Sequence, residues 1–250
     1  RSRVNSKKAN EDPPAKAAAP NGERQLFVVI LGGKCMKKQA CYRVLIYLLG
    51  MLLLALGITL NTKAGLGASA IVSVPYTISQ GTGLDFANLT LVTYCVLVAA
   101  QFVIKGKNRQ WIDVLQIVVS IVFTRFMSVF AKTISYQSGK LLSDLVVLAL
   151  GILFTGVGAA MTVDMNLIPN PGDGIVSSIA GRTGKELGLC KNGFDAICVV
   201  CSLIIGLTMG SVLMGVGLGT ILSMVGVGRV IFAFNHIAKA KLQTAAGLEK

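Results

Sequence analysis

The sequence predicts an all-α integral membrane protein: six transmembrane helices in two inverted three-helix repeats, each with a glycine/proline-broken re-entrant half-helix. Three observations predict it: a strongly apolar composition, six apolar runs near spanning length, and punctuation that recurs at an offset of 101 residues. The 250-residue chain is 53% hydrophobic and only 14% charged, unlike an ordinary soluble domain. Its net charge of +13 is unevenly spread, because ten of the 24 Lys and Arg fall in residues 1–43 against Glu11, Asp12 and Glu23. The other cations stand singly beside apolar runs, which argues for a lipid bilayer as partner and against nucleic acid.

A helix needs about 20 apolar residues to cross a ~30 Å hydrocarbon core. Six runs qualify or come close: Tyr42–Leu60, Ala87–Ile104, Ile112–Ala131, Leu141–Met161, Phe194–Met209 and Val212–Phe234. Only Gly210-Ser211 parts the last two, which predicts a tight hairpin. Lys34, Lys37, Lys38 and Arg43 precede the first run, Lys105, Lys107 and Arg109 join the second to the third, and Arg182, Lys185 and Lys191 join the fourth to the fifth. Arg229, Lys239 and Lys241 end the last, while the opposite side holds only Lys63, Lys132 and Lys140. Basic residues favour the cytoplasmic face, so both termini are expected there, in a cell membrane.

Gly50 and Gly57 are matched by Gly151 and Gly158, and Thr82-Gly83 by Thr183-Gly184. A broken turn lies between these marks in each half, Gly65-Leu66-Gly67 and Pro169-Asn170-Pro171-Gly172-Asp173-Gly174. Ile71-Val72-Ser73 and Ile175-Val176-Ser177 then follow, with a slip of three residues between them. An odd number of spans per half makes the second half enter from the opposite side. The expected division is a first repeat over 36–138, a second over 139–238 and a basic cytoplasmic tail over 239–250.

Residues 1–35 read as a disordered basic tail, since 1–25 is rich in Lys, Ala, Pro, Asn and Glu without apolar periodicity. Leu26–Leu31 is too short for the apolar core of a signal peptide. Gly32-Gly33-Lys34 can be encoded by a ribosome-binding stretch just ahead of Met36, so the natural chain is expected to begin at Met36.

Residues 61–86 and 162–190 are too polar for ordinary spans, yet hold short helical stretches: Ala68–Ser79, interrupted by Pro75, and Gly174–Ala180. A helix starting at such a turn offers free backbone N–H groups and the positive end of its dipole. Interrupted segments at corresponding places in two repeats point to a transporter's binding site. The candidate site is therefore Gly65, Gly67, Gly172 and Gly174 as backbone donors, Ser69, Ser73 and Ser177 as hydroxyl ligands, Asn170, and Asp173 for charge recognition or proton coupling. Arg125, inside the third run, either faces the bundle or snorkels outward. The plainer alternative lays both segments on the headgroups and leaves Asp173 as a helix cap.

Other features read as structural. Asp113, Asp144 and Asp195 occupy first turns, where the dipole favours them. Asp164 and Asn166 flank the second broken segment. Gly215, Gly219 and Ser223 form a small-residue packing stripe. The six cysteines do not form a disulfide framework, and Cys198-Val199-Val200-Cys201 reads as packing within a span rather than a metal or redox site. With one histidine, His236, and no phosphate-binding loop, neither enzyme activity, metal nor cofactor is expected.

Leu56-Gly57-Ile58-Thr59-Leu60-Asn61 leads into Gly65-Leu66-Gly67. Ile168-Pro169-Asn170-Pro171-Gly172-Asp173-Gly174 is followed by Gly181-Arg182-Thr183-Gly184 and later Gly217-Leu218-Gly219-Thr220. On these motifs, from about Met36 to Phe234, the chain resembles the YitT/YczE-like family of bacterial multi-pass membrane proteins. The resemblance implies an integral plasma-membrane protein and assigns no biochemical activity. Members carry Arg before the Asp-Gly pair, where Gly172 stands here, and another near the start of the fifth span, where Lys191 and Asn192 stand. If those arginines bind ligand in relatives, the expectation here is a different ligand or nothing charged. The expected function is a small-molecule or ion transporter with its site between the two half-helices. The alternative is a non-transporting scaffold or regulatory protein, and the sequence allows a homo-oligomer.

Overall fold

The computed structural model describes residues 34–106, 112–210 and 215–248. Expectations for residues 1–33 and for Ser211 lie outside the described residues. Eight α-helices follow in order: α1 (Lys34–Lys63), α2 (Ala70–Thr82), α3 (Phe86–Lys105), α4 (Ile112–Thr133), α5 (Leu141–Asp164), α6 (Pro171–Thr183), α7 (Leu187–Thr208) and α8 (Leu218–Ala245). No strand occurs among the described residues. All but α2 and α6 are long and apolar enough to cross a membrane, six helices among the described residues. The chain is a multi-pass membrane protein.

Most helices outrun the apolar runs that announced them, because hydropathy stops at the first charges while helical hydrogen bonding continues into polar sequence. α7 starts at Leu187, well before Phe194. α8 starts at Leu218 rather than Val212 and continues through Lys239 and Lys241 to Ala245. Helix α8 thus enters the segment expected as a tail over 239–250, and Ala246 is buried in one cluster with Ile46, Tyr47 and Met51 of α1. Arg229 likewise lies within α8, beside Val230, whose side chain packs against Gly156 of α5.

The tightest seam joins α1 to α5, which run antiparallel. A Cβ on Gly158 would stand 2.6 Å from the Gly50 carbonyl oxygen, and one on Gly57 would stand 2.7 Å from that of Gly151. Glycines at these points let the two backbones touch. α5 also carries α8, and α1 carries α4. The two short helices pack crosswise, α2 on α7 and α6 on α3, and each also touches the helix that follows it.

α2 and α6 have the same length, 13 residues, and the same ends. Each starts after an extended residue, Ser69 or Asn170, and ends on a left-handed glycine, Gly83 at φ 72° or Gly184 at φ 68°. Thr82 and Thr183 each return their hydroxyl to the carbonyl four residues back, at 2.7 and 2.8 Å. The two helices are thus in register at an offset of 101, not at the slipped register that aligns the two Ile-Val-Ser runs. Ile175-Val176-Ser177 stands three residues further along its helix than Ile71-Val72-Ser73.

Candidate functional site

The Pro/Gly turn starts α6 with Pro171 in the first helical position, where its missing N–H costs nothing. Asn170 caps it, Oδ1 accepting from the Gly172 N–H at 3.1 Å. Met51, Leu54, Tyr94, Ser120 and Phe123 surround Asn170 and Pro171 about a cavity of about 20 Å³. That volume holds about one water. The opening turns of α2 and α6 meet here: a Cβ on Gly172 would stand 3.0 Å from Ile71 Cδ1.

Below the cap lies a buried polar ladder. Gln101 and Gln116, neither exposed, exchange two amide hydrogen bonds of 3.1 Å. Gln101 Nε2 also donates to the Pro171 carbonyl at 3.2 Å, and Gln116 Nε2 to Asp113 Oδ1 at 3.3 Å. Lys105 closes the ladder on Asp113 at 2.7 Å. Gly174 lies against both amides, since a Cβ there would stand 2.6 Å from Gln101 Oε1. Each amide finds its partners inside the bundle, so none of the ladder is left as a desolvated orphan.

Asp173 points the other way, its side chain 46% exposed. Lys191 Nζ stands 3.9 Å from Asp173 Oδ1 and 3.8 Å from Asp195 Oδ2. Asp195 is buried, and its Oδ1 has no hydrogen-bond partner among the described residues.

The remaining expected residues divide. Gly65 and Gly67 adopt left-handed backbone, φ 68° and 104°, which demands glycine. Their turn is bound to the start of α8 rather than to the second broken segment: Gly219 N donates to Leu66 O at 2.7 Å and Ala68 N to Gly215 O at 3.1 Å. The Gly215/Gly219 stripe therefore packs, as its pattern suggested. Ser69 precedes α2 without a side-chain cap bond. Ser73 is wholly buried and spends its proton on Ala70 O at 2.7 Å, so its hydroxyl faces its own helix instead of a cavity. Its carbonyl accepts from Ser202 at 3.3 Å, and Ser202 meets Thr77 at 2.5 Å. Ser177 is exposed, while its neighbour Ser178 is buried and bonded to Gly174 O at 2.7 Å. Arg125 is exposed and reaches Asn88 Oδ1 at 3.3 Å, which takes it out of the bundle interior.

Five residues went unnoticed in the sequence or were read too plainly. Gln101 and Gln116 are, with Asn88, the amides inside the second and third apolar runs, and that could have marked them. Asp113 sits in a first turn and also holds a specific partner, whereas Asp195, expected in a first turn, lies two turns inside α7 because that helix starts at Leu187, and it stands beside Lys191. Arg43 looked like a flanking cation, yet it is buried, donating Nε to Met165 O at 2.6 Å and Nη2 to Asn166 O at 2.7 Å. It caps the carbonyl end of α5 and, with Tyr47 bonded to Ile168 O at 2.7 Å, holds the approach to Asn170.

The protein-family model described as a family of unknown function, DUF6198, matches residues 41–236. The chain is also similar to the uncharacterized membrane protein YczE of Bacillus subtilis (strain 168), at 24% identity over 164 residues, covering 64% of this chain and 73% of that protein. No solved structure matches.

Proposed function

Since the chain belongs to this family of unknown function, DUF6198, and carries six membrane-length helices, we propose that it is a small-molecule or ion transporter of the cell membrane. Its site lies between α2 and α6, each a re-entrant half-helix of one inverted repeat. The observation that carries this reading is reciprocity in the α1–α5 seam. If Gly50 and Gly57 correspond to Gly151 and Gly158, a two-fold relation that joins Gly50 to Gly158 must also join Gly57 to Gly151. Both contacts are present. The crosswise packing obeys the same exchange, α2 on α7 and α6 on α3.

The depth of the caps supports re-entrance. Asn170 and Pro171 stand beside mid-helix residues of α1, α3 and α4, while Thr183 ends α6 four residues before α7 begins at Leu187. Non-helical backbone at membrane depth survives only inside protein or along a cavity, and the strap from Leu66 and Ala68 to Gly215 and Gly219 meets that condition. Both termini are cytoplasmic by the distribution of Lys and Arg.

The scaffold reading draws on one observation, the tight packing around Asn170, whose cavity of about 20 Å³ admits no substrate larger than water. The half-exposed Asp173 favours transport instead. A ligand-stabilisation screen of the purified protein decides, repeated on Asp173→Asn and Gly174→Ala, with each hit then tested for accumulation in proteoliposomes. Transport requires a hit that both variants lose and that accumulates. A hit untouched by either variant removes the site, and one that binds without accumulating leaves the scaffold.

A further inference from the structure

Three charges meet where α6 crosses α7, and they do not balance. Lys191 stands between Asp173 and Asp195 at 3.9 and 3.8 Å, about 1 Å beyond a charge-assisted hydrogen bond to either. The trio carries a net charge of −1. Asp195 is 8% exposed, and its Oδ1 lacks any partner among the described residues. A buried carboxylate oxygen without a donor is costly to leave so. The Lys191 ammonium stands near both carboxylates and closes on neither.

The packing supplies a way in. At an offset of 101, Lys191 and Asp195 on α7 correspond to Thr90 and Tyr94 on α3. Thr90 is wholly buried, and Tyr94, also buried, stacks on Phe123 of α4 at 6.0 Å. α4 covers that face of α3, whereas α8 makes no comparable contact with α7 among the described residues. The corresponding face of α7 lacks that cover at Lys191, whose side chain is 46% exposed, while Asp195 one turn on is buried.

We infer that Asp173 and Asp195 form a binding site for an organic cation bearing a primary ammonium or guanidinium group, with Lys191 as a tethered occupant that the ligand displaces. The ligand must donate N–H bonds, because the acceptor left unpartnered is a carboxylate oxygen. It must be cationic, because displacing Lys191 uncovers two negative charges. The inference rests on the transport reading and carries its site from the opening turn of α6 to the crossing of α6 and α7.

The test uses the full chain in detergent micelles, with methylammonium, guanidinium and choline chlorides as probes and sodium chloride at matched ionic strength as control. Melting temperature is followed in the wild type, Lys191→Gln and Asp195→Asn. Removing the tethered competitor should let methylammonium and guanidinium stabilise Lys191→Gln at about tenfold lower concentration than the wild type, since a tethered group competes at a high effective concentration. Asp195→Asn should lose the effect, and Asp173→Asn takes its place if that variant does not fold. Choline, which has no N–H, should match sodium. Equal titrations of wild type and Lys191→Gln, or choline as effective as methylammonium, overturn the assignment. Binding without uptake into proteoliposomes overturns transport and keeps the site. Uptake of another solute that these cations do not inhibit keeps transport and overturns the site.

Discussion

Gly158→Ala probes the seam that joins the two halves. The added methyl would stand 2.6 Å from the Gly50 carbonyl oxygen and 2.8 Å from Leu54 Cα, both backbone atoms that no rotamer change can move. Restoring ordinary contact at about 3.5 Å means parting α1 and α5 by most of an ångström. Overpacking of this kind costs about 1–3 kcal/mol, against which alanine's better helix propensity returns up to ~1 kcal/mol. Gly228→Ala is the matched control, because its methyl would meet nothing within 4 Å and should be neutral or stabilising. The two variants should differ by about 2 kcal/mol, or roughly 4–8 °C in melting temperature for a chain of this size. Thermal unfolding in detergent micelles, read for both variants side by side, gives the difference. If Gly158→Ala melts with or above Gly228→Ala, the backbones do not touch there and the reciprocity argument loses its basis.

Gly67→Ala forces a methyl onto backbone at φ 104° and to within 2.6 Å of Gly217 N. It should lose about 1–3 kcal/mol to strain and more to the contact, whereas Gly83→Ala, left-handed with nothing within 4 Å, should show the strain alone in the same melting assay. Gln101→Leu and Gln116→Leu each strand a buried amide and should cost about 1–3 kcal/mol apiece. The double variant should cost less than their sum, and strict additivity in the cycle would deny the ladder. Tyr136, on the connection before α5, donates to Asp144 Oδ1 at 2.7 Å, and that hydrogen bond holds its phenol above the ordinary value of about 10. A raised value means that the contribution is complete below pH 10 and fades as pH climbs through the folded-state value. Melting curves between pH 9 and 12 should show this alkaline loss in the wild type and a smaller one in Tyr136→Phe.

The architecture was legible because its signals are local. Apolar runs, lone cations and glycines at fixed spacing all act within one helix, so α3, α4 and α5 begin within a residue of their expected starts. α8 was misplaced because its start depends on a distant contact: Gly215, Gly217 and Gly219 fit against Leu66 and Thr77. The site was legible only in part for the same reason. Asp173 and Asn170 announce themselves in a Pro/Gly turn, but whether a serine faces a cavity depends on helix rotation. Ser73 and Ser177 looked alike in sequence, yet one is wholly buried and the other exposed. Gln101 and Gln116 lie on different helices, and only folding makes them partners.

The two halves share a seam but not a lining, and the difference bears on mechanism. Offset by 101 residues, Gln101 corresponds to Ser202 and Tyr94 to Asp195. On the α3 side the Gln101–Gln116 ladder and the Tyr94–Phe123 stack supply their own partners, so α4 can close over them at no electrostatic cost. On the α7 side Asp173, Lys191 and Asp195 leave one negative charge over. Closing α8 across α7 in the same manner would bury that charge, at a penalty of several kcal/mol. A bound cation, with the displaced Lys191 ammonium still tethered alongside, brings the site to neutrality and lowers that penalty. If the halves exchange roles during transport, occupancy of this site is what permits the exchange, because a ligand shifts a conformational equilibrium only by its differential affinity for the two states. In such an exchange α8 would close across α7 only over an occupied site.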